Sequence, residues 1–124
     1  MAKRKNSRAK GARGEREAAA YLTKLGFPAE RNARNGLSTD DLVIPSLPGV
    51  HIEVKRSEAI GLGTKALRDA IAQAESNAGA RRAFVLWKNN GCPWCLTRNH
   101  NIYKVPITFC GDSDIQTILS QRIP

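Results

Sequence analysis

Short runs of apolar residues, separated by polar and glycine-rich segments, predict a protein that contains both strands and helices. The runs at 40–44 and 51–55 have the length and the β-branched content of strands, and a Pro/Gly/Ser cluster at 45–49 between them is of the kind that closes a hairpin or short loop. The run at 83–87 is continuously apolar, which is typical of a central strand buried on both faces.

Two helices are predicted where apolar residues recur at intervals of three and four. The first runs from about residue 12 or 14 to Leu25 and is closed by Gly26. The second spans residues 65–78, with Thr64 able to cap its start and Gly79 placed to end it. Its apolar side consists of Leu67, Ala70, Ile71, Ala74 and Ala78. A side of this kind suits a helix that lies flat on a sheet.

Shorter patterns place the remaining elements. An edge strand is predicted to begin within 27–31, and a polar, basic loop follows at 32–39. Further edge strands are predicted near 94–97 and 102–108, and a short helix near 113–120. Together these elements predict a three-layer α/β arrangement with a mixed sheet, in a single domain at residues 12–124. The sequence contains no internal repeat.

Alternation along the first two strands brings two carboxylates together. His51, Glu53 and Lys55 share one side of the second strand, while Ile52 points toward a core. If residues 45–49 form the loop, the hairpin register sets Asp41 opposite Glu53, with Cβ atoms roughly 4.5–5.5 Å apart. Such a pair repels unless a cation lies between its members, and a divalent cation is the usual one. The alternative is a surface hairpin with ordinary solvated acids.

The first predicted helix carries a third acid on its buried side. Glu15 lies three residues before Ala18 and therefore on the apolar face, whereas Glu17 points nearly opposite, about 200° away at 100° per residue. An acid in this place, ahead of two strands that each carry an acid, is a candidate third metal ligand. The alternative is a carboxylate that stabilises the first helical turn through the helix dipole.

The composition fits one globular domain. The chain of 124 residues is 41% hydrophobic, and no apolar run approaches the roughly 18 residues that a membrane span needs. The basic N-terminus leads into no hydrophobic segment, so no export signal is predicted and a cytoplasmic protein is expected. Its three cysteines are then expected to be free thiols in a reducing compartment.

Charge is the strongest compositional signal. The net charge is +9, and residues 1–39 hold ten Lys/Arg against three acids, a net of +7. Such asymmetry indicates a polyanionic partner, and nucleic acid is favoured over a membrane because residues 1–13 lack the bulky apolar side chains of a membrane-binding helix. Residues 1–11 are predicted to form a flexible basic arm that contacts this partner, unless they are only a solubilising tail.

A second group of chemically active residues consists of Cys92, Cys95, His100 and Cys110. A Cys-x₂-Cys pair followed by His and Cys could form a tetrahedral zinc site, although the second pair is irregularly spaced. A redox pair is another alternative, but the strand leading into a helix that thioredoxin-like sites require is missing. The preferred interpretation is a set of small buried thiols at a strand turn.

Several motifs occur in the order found in a known nuclease family. They are Gly11-Ala-Arg-Gly-Glu15-Arg16, Leu25-Gly26-Phe27, Asp41-Leu42-Val43, Ile52-Glu53-Val54-Lys55, Gln73-Ala74-Glu75 and the strand at 83–87. From residue 11 to about residue 88, the chain resembles the archaeal-type Holliday junction resolvases of the PD-(D/E)XK nuclease superfamily. The resemblance implies a three-layer restriction-endonuclease-like fold, with a central mixed β-sheet flanked by helices. It does not extend to the last 35 residues.

By this resemblance, Glu15, Asp41 and Glu53 are the acidic residues of a metal site and Lys55 is the catalytic lysine. Asp40 stands where the superfamily name expects proline. Asp41 is preferred as the ligand because the apolar run follows it directly and because of the hairpin register.

The activity implied by the resemblance is Mg²⁺-dependent hydrolysis of DNA phosphodiester bonds, with Mn²⁺ able to replace Mg²⁺, through paired nicks at four-way junctions. The cation would activate a water and polarise the phosphoryl oxygen, and Lys55 would orient the water or offset charge on the phosphate. Ten residues are expected to contact DNA, and one of them, Ser38, matches a loop serine of the family. They are Lys3, Arg4, Lys5, Arg8, Lys10, Arg13, Arg16, Arg34, Ser38 and Gln73.

Two other functions stay open. One is another nuclease of the superfamily, of phage or restriction type, that acts on flaps, ends or duplex DNA. The other is a non-catalytic basic DNA-binding module, which the intact set of Asp41, Glu53 and Lys55 disfavours.

Paired nicks imply a homodimer with two sites, because one small site cannot place both cuts in a two-fold symmetric junction. Six apolar residues are available for such an interface, although they could instead form the second side of the core. They are Trp94, Ile102, Tyr103, Val105, Ile107 and Phe109.

Overall fold

In the computed structural model, residues 3–32 and 40–121 are described, and for residues 3–10 the description covers the backbone alone. The elements in chain order are α1 (Lys3–Lys24), β1 (Glu30–Arg31), β2 (Leu42–Val43), β3 (Val50–Arg56), α2 (Lys65–Ala78), β4 (Arg82–Lys88), β5 (Cys95–Asn99), β6 (Pro106–Phe109) and α3 (Asp112–Ser120). Within the described ranges, no helix is long and apolar enough to cross a membrane.

A four-stranded mixed sheet organises the molecule, with the strand order β3-β4-β5-β6. β3 and β4 are parallel, in a register that pairs Glu53 with Val85, and the other two pairings are antiparallel. The connection between the parallel strands contains α2, since parallel neighbours need a long crossover. β1 and β2 form a separate two-stranded antiparallel sheet.

Hydrophobic cores lie on both faces of the four-stranded sheet. Phe84 and Leu86 of β4 pack on one side with apolar residues of α1 and α3, while Val85 and Trp87 pack on the other side with α2. β4 is thus buried on both faces and lies between β3 and β5, as its continuous apolar run predicted. The predicted three-layer α/β arrangement with a mixed sheet is confirmed.

α2 agrees with its prediction in both bounds and in all five buried residues. The Thr64 hydroxyl accepts a hydrogen bond of 3.2 Å from the Leu67 amide, which satisfies one of the free donors of the first turn. Gly79 ends the helix with a φ of +63°, a conformation that glycine adopts without a steric penalty.

α1 begins earlier than predicted. The sequence pattern placed its start at residue 12 or 14 within a chain whose first eleven residues were expected to be flexible, but the helix begins at Lys3. Lysine, arginine and alanine, which dominate residues 3–10, are strong helix formers. A single interior glycine, Gly11, costs only about 1 kcal/mol relative to alanine and does not end the helix.

The predicted hairpin between 40–44 and 51–55 is wrong in its pairing. β2 pairs with β1, through Leu42 with Arg31 and Val43 with Glu30, while β3 pairs with β4 in the main sheet. Only Leu42 and Val43 of the first run are in a strand, since Ile44 begins the turn that leads through Pro45. The apolar side of β3 was predicted correctly, because Ile52 belongs to the core.

β6 is shorter than the strand predicted for 102–108. Residues 101–103 form a turn, and Lys104 has a positive φ of 55°, so the strand starts only at Pro106. This divides the predicted interface set. Trp94 is part of the core, and Ile107 and Phe109 are partly buried. The exposed members are Ile102, Tyr103 and Val105, with exposed fractions of 76%, 74% and 53%.

Candidate active site

One cavity brings together the four residues that the resemblance assigns to catalysis. Its volume is about 540 Å³, and Glu15, Asp41, Glu53 and Lys55 all line it. Glu15 comes from α1, Asp41 immediately precedes β2, and Glu53 and Lys55 lie on β3. The three acids and the lysine therefore meet at the outer edge of the main sheet, although they arrive from separate elements and not from the predicted hairpin.

Asp41 joins the segment before β2 to the edge strand β3. Its Oδ2 accepts a hydrogen bond of 2.8 Å from the Val54 amide, which satisfies a backbone donor at the edge of the sheet. Burial raises the pKa of Asp41 to about 7, and the negative charges of Glu53 and Glu15 add to the rise, while the Val54 bond and the charge of Lys55 oppose it. Near neutral pH, Asp41 is therefore partly protonated.

Glu53 is the most deeply buried acid of the cavity, with 4% of its surface exposed. Its Oε1 accepts hydrogen bonds from His51 Nε2 at 2.9 Å and from Asn77 Nδ2 at 2.7 Å. Burial favours the neutral acid, but these two bonds and the positive charges of His51 and Lys55 outweigh it and hold the pKa of Glu53 below its usual value. Glu53 is therefore ionised at neutral pH, beside an Asp41 that holds its proton more tightly.

A chain of polar side chains lies behind Glu53. His51 is almost completely buried, and its Nδ1 is 2.8 Å from Asp40 Oδ1. Arg81 donates to both oxygens of Asp40, at 2.8 and 3.1 Å. Burial lowers the pKa of His51, but the hydrogen bonds and charges of Glu53 and Asp40 outweigh this effect, so its pKa is raised. The bonds and charge of Arg81 lower the pKa of Asp40 despite its partial burial.

The structure separates the roles of the two adjacent aspartates. Asp41 lines the cavity with Glu53, whereas Asp40 binds Arg81 and His51 and does not line it. The preference for Asp41 as the candidate ligand is consistent with this arrangement. Sequence reasoning placed His51 on the face of Glu53 but gave it no role, and it found no signal for Arg81, because their partners are distant in sequence.

Glu15 reaches the cavity because α1 crosses β3 at very short range. A Cβ added at Gly14 would lie 2.8 Å from the Cβ of Arg56, which is closer than real Cβ atoms approach. Glycine at this position lets the helix backbone lie against the strand. Glu15 Oε1 also accepts a hydrogen bond of 2.9 Å from Arg31 Nε of β1, so this acid is shared between the cavity and an ion pair.

Lys55 differs from the acids in being exposed. Among the residues that the structure describes, it forms no ion pair with a carboxylate. It lines the same cavity as Asp41 and Glu53, and its positive charge works to lower the pKa of both carboxyl groups. The ammonium group thus remains available to an anion that enters the cavity.

The two central acids provide a donor set that fits a magnesium ion. In the described part of the chain, no group of three or more His, Cys, Asp and Glu side chains is arranged to hold a metal. Mg²⁺, however, is usually bound by one or two carboxylates together with waters and substrate phosphates. Asp41 uses only Oδ2 and Glu53 only Oε1 in hydrogen bonds to described residues, so each keeps a second oxygen for a cation. The assignment of Glu15 as a third ligand stays a prediction.

The residues expected to contact DNA are only partly described. Arg13 and Arg16 are exposed on α1, on either side of Glu15, and Gln73 is exposed on α2 without lining the cavity. Arg34 and Ser38 lie outside the described residues. The same holds for the side chains of Lys3, Arg4, Lys5, Arg8 and Lys10.

The cysteine group does not form a zinc site within the described residues. Cys95 is buried and lies with its Sγ 3.1 Å from that of Cys110, but Cys92 and Cys110 are exposed, so the expectation of buried thiols is correct for Cys95 alone. Burial, followed by the neighbouring Cys110, raises the pKa of the Cys95 thiol to about 12. His100 Nδ1 accepts hydrogen bonds from its own loop, from the amides of residues 102 and 103.

A solved structure with a similar fold is that of Archaeoglobus fulgidus Hjc, a Holliday junction resolvase from an archaeal hyperthermophile. The similarity covers 87% of this chain and 98% of that chain, with a TM-score of 0.50 and 22% sequence identity. No protein-family profile matches the sequence, and no curated protein matches it. The likeness confirms the predicted restriction-endonuclease-like fold, in which a central mixed sheet is flanked by helices, and this chain has the fold of an archaeal Holliday junction resolvase.

Proposed function

We propose that this protein is a Holliday junction resolvase, a metal-dependent endonuclease that hydrolyses phosphodiester bonds at four-way DNA junctions. The observation that carries the proposal is the convergence of Glu15, Asp41, Glu53 and Lys55 on one cavity of about 540 Å³. Closely placed acids with an adjacent lysine are the groups that metal-assisted hydrolysis of a phosphodiester requires. The fold of the chain and the net charge of +9 agree with a DNA substrate.

Magnesium is the proposed cofactor, with manganese as a substitute, and when bound it would lower the pKa of a water molecule and polarise a phosphoryl oxygen. Asp41 and Glu53 would hold the ion through the oxygens that they do not use in hydrogen bonds. Asp41 has to lose its proton for this role, and its pKa of about 7 places that loss near neutral pH. Glu53 is already ionised.

Lys55 would act directly on the substrate. Its exposed ammonium group, beside Asp41 and Glu53, is placed to donate a hydrogen bond to the scissile phosphate or to the attacking water. Arg13 and Arg16 on the exposed side of α1 would bind neighbouring phosphates, and such contacts position the backbone without reading sequence. This mode of binding suits an enzyme that recognises a branched shape.

The proposal is tested by cleavage of synthetic four-way junction, flap, fork and linear duplex substrates in Mg²⁺. We expect paired nicks at the four-way junction, and we expect Asp41→Asn, Glu53→Gln and Lys55→Ala each to lower the cleavage rate at least a hundredfold. Junction binding by Asp41→Asn should be retained or tighter, because a negative charge near the phosphate is removed.

Asp69→Asn is the matched control, since it removes a carboxylate that is exposed on α2 and, among the described residues, is paired with Lys65 alone. It should cleave at the wild-type rate. Efficient cleavage of flaps or linear duplex but not of junctions would instead identify another nuclease of the same superfamily. Full activity of Asp41→Asn would contradict the site itself, and binding without any cleavage would favour a non-catalytic DNA-binding module.

A further inference from the structure

His51 is a buried ionisable residue to which the proposed chemistry gives no role. Its side chain is shielded from solvent, yet both ring nitrogens lie within 2.9 Å of carboxylate oxygens, Nδ1 beside Asp40 and Nε2 beside Glu53. Burying a polar ring between two acids is unfavourable unless each group is hydrogen-bonded, and here each of them is. The arrangement therefore makes the position of Glu53 depend on His51.

The hydrogen bonds on Glu53 are unevenly distributed over its carboxylate. Oε1 accepts both the bond from His51 and the bond from Asn77, whereas Oε2 accepts none from the described residues. The terminal torsion of a glutamate is otherwise broad and poorly defined. Two donors on one oxygen, one from β3 and one from α2, fix that torsion and leave Oε2 as the oxygen that is free to bind a ligand.

The far end of the chain of bonds is anchored by Arg81. Its guanidinium donates to both Asp40 oxygens, and it also donates to the backbone carbonyl of Asn77 at 3.2 Å. The bonds thus form a closed ring that runs from Arg81 through Asp40, His51, Glu53 and Asn77. The ring ties the end of α2 to β3 and to the segment that carries Asp41, so it links both central acids of the cavity to one rigid support.

We propose that His51 is a positioning residue, which together with Asp40 and Arg81 orients the Glu53 carboxylate so that Oε2 serves the divalent cation of the cavity. This inference rests on the proposed function, because it assigns His51 a role toward the same site. It differs from a purely structural role in one respect. Loss of the His51 bond should weaken cation binding in protein that remains folded.

The test is the affinity of His51→Asn for Mn²⁺, measured by calorimetry without DNA, together with the Mg²⁺ dependence of junction cleavage. The shorter asparagine side chain can place its amide near the position of His51 Nδ1, beside Asp40, but it does not reach Glu53 from the position of Nε2. Loss of such a supporting bond typically weakens metal binding by about 10- to 100-fold. We expect the Mn²⁺ dissociation constant and the Mg²⁺ concentration for half-maximal cleavage to rise at least tenfold together. The cleavage rate at saturating Mg²⁺ should fall much less, and junction affinity in EDTA should stay unchanged.

Thr97→Val is the matched control for removing a buried polar group. Thr97 is fully buried on β5, and its hydroxyl is bonded to Trp87 and Thr108 and not to any residue of the cavity. This variant should lose thermal stability while keeping the wild-type Mn²⁺ affinity. If His51→Asn fails to fold, Asp40→Ala replaces it, because Asp40 is partly exposed and the alanine side chain has no oxygen to accept the bond from His51.

The outcomes separate the inference from the proposed function. Wild-type Mn²⁺ affinity in folded His51→Asn or Asp40→Ala would overturn the positioning role, even if the wild-type protein cleaves junctions. Weaker Mn²⁺ binding in these variants would support the role, even if the wild-type protein proved to cleave a different DNA substrate. Absence of Mn²⁺ binding by the wild-type protein, together with absence of cleavage of any DNA substrate in Mg²⁺, would overturn both.

Discussion

At the scale of single residues, Asp41 makes the stability of the metal-free protein depend on pH. Its pKa is raised to about 7 by burial and by the neighbouring acids, so the folded protein binds this proton more tightly than the unfolded chain does. The stabilisation is fully present below the unfolded pKa of about 3.9 and is lost as the pH rises through about 7. Folding thus opposes ionisation of a candidate ligand.

Asp41→Asn should remove this dependence. In EDTA, the free energy of unfolding of the wild-type protein relative to the variant should fall by roughly 2–4 kcal/mol between pH 4 and pH 8, since one pKa unit corresponds to about 1.4 kcal/mol. Denaturant titrations at several pH values measure the difference. The amide keeps an oxygen for the Val54 bond, so the comparison isolates the charge.

The same comparison with Asp69→Asn should show no such trend, because that carboxylate is exposed on α2. Added Mg²⁺ should stabilise the wild-type protein at pH 8 more than Asp41→Asn, since a ligand that binds the folded state shifts the equilibrium toward it. A difference that is flat from pH 4 to pH 8 would mean that Asp41 ionises as freely in the folded protein as in the unfolded chain.

At the scale of elements, the close crossing of α1 over β3 sets the place of Glu15. Gly14→Ala adds a Cβ at 2.8 Å from the Cβ of Arg56, so the helix and the strand must move apart. We expect cleavage to fall at least tenfold and the protein to lose about 1–3 kcal/mol of stability, the usual cost of overpacking. Thermal unfolding and cleavage rates measure these effects. Because alanine favours a helix more than glycine does, a loss of stability would come from the close contact and not from helix propensity.

Gly11→Ala provides the contrast within the same helix. A Cβ at Gly11 meets no atom within 4 Å. The substitution should therefore stabilise the protein by up to about 1 kcal/mol through helix propensity. Gly11 also lines the cavity, but a Cβ there displaces no neighbouring atom, so cleavage should fall far less than in Gly14→Ala. Equal effects of the two substitutions would contradict the role assigned to the crossing.

Elements with strong local signals were predictable from the sequence. α2 has a capping threonine, a regular apolar side and a terminal glycine, and β4 has an unbroken apolar run, so both were placed within a residue or two. The hairpin failed because the partner of a strand is decided by distant residues. β2 pairs with β1, and β3 pairs with β4, although the loop sequence at 45–49 was also compatible with direct pairing of β2 with β3.

The candidate site was predictable only in its acidic residues and its lysine. Glu53 and Lys55 lie on a strand whose alternation can be read directly, Asp41 directly precedes an apolar run, and Glu15 lies on a helix face. The support behind Glu53 could not be found in this way. Arg81 reaches Asp40 across 41 positions of the sequence, and Asn77 reaches Glu53 across 24, so no local pattern connects them.

At the scale of the whole molecule, the resemblance to resolvases predicts a two-fold dimer. Ile102 and Tyr103, in the turn before β6, are exposed by 76% and 74%, and such a patch suits an interface. Sedimentation should show a dimer at micromolar concentration, and Ile102→Asp should produce monomers that nick one strand without pairing the cuts. Leu62→Asp is the control, since Leu62 is 69% exposed before α2. A wild-type protein that is monomeric both free and on junction DNA would exclude paired nicks.

The position of β3 at an edge of the main sheet also determines how readily it opens compared with β4. β4 is held by neighbours on both sides, whereas β3 is an edge strand whose outer side is bonded by a side chain, Asp41, at Val54. Local opening starts where a backbone has fewest partners. In hydrogen exchange, the Val54 amide should therefore exchange before that of Leu86, and a bound cation should slow the first without affecting the second. The proposed chemistry thus lies on an edge strand that opens more readily than the central strand beside it, so a substrate that binds this edge can stabilise one of its conformations while β4 stays in place.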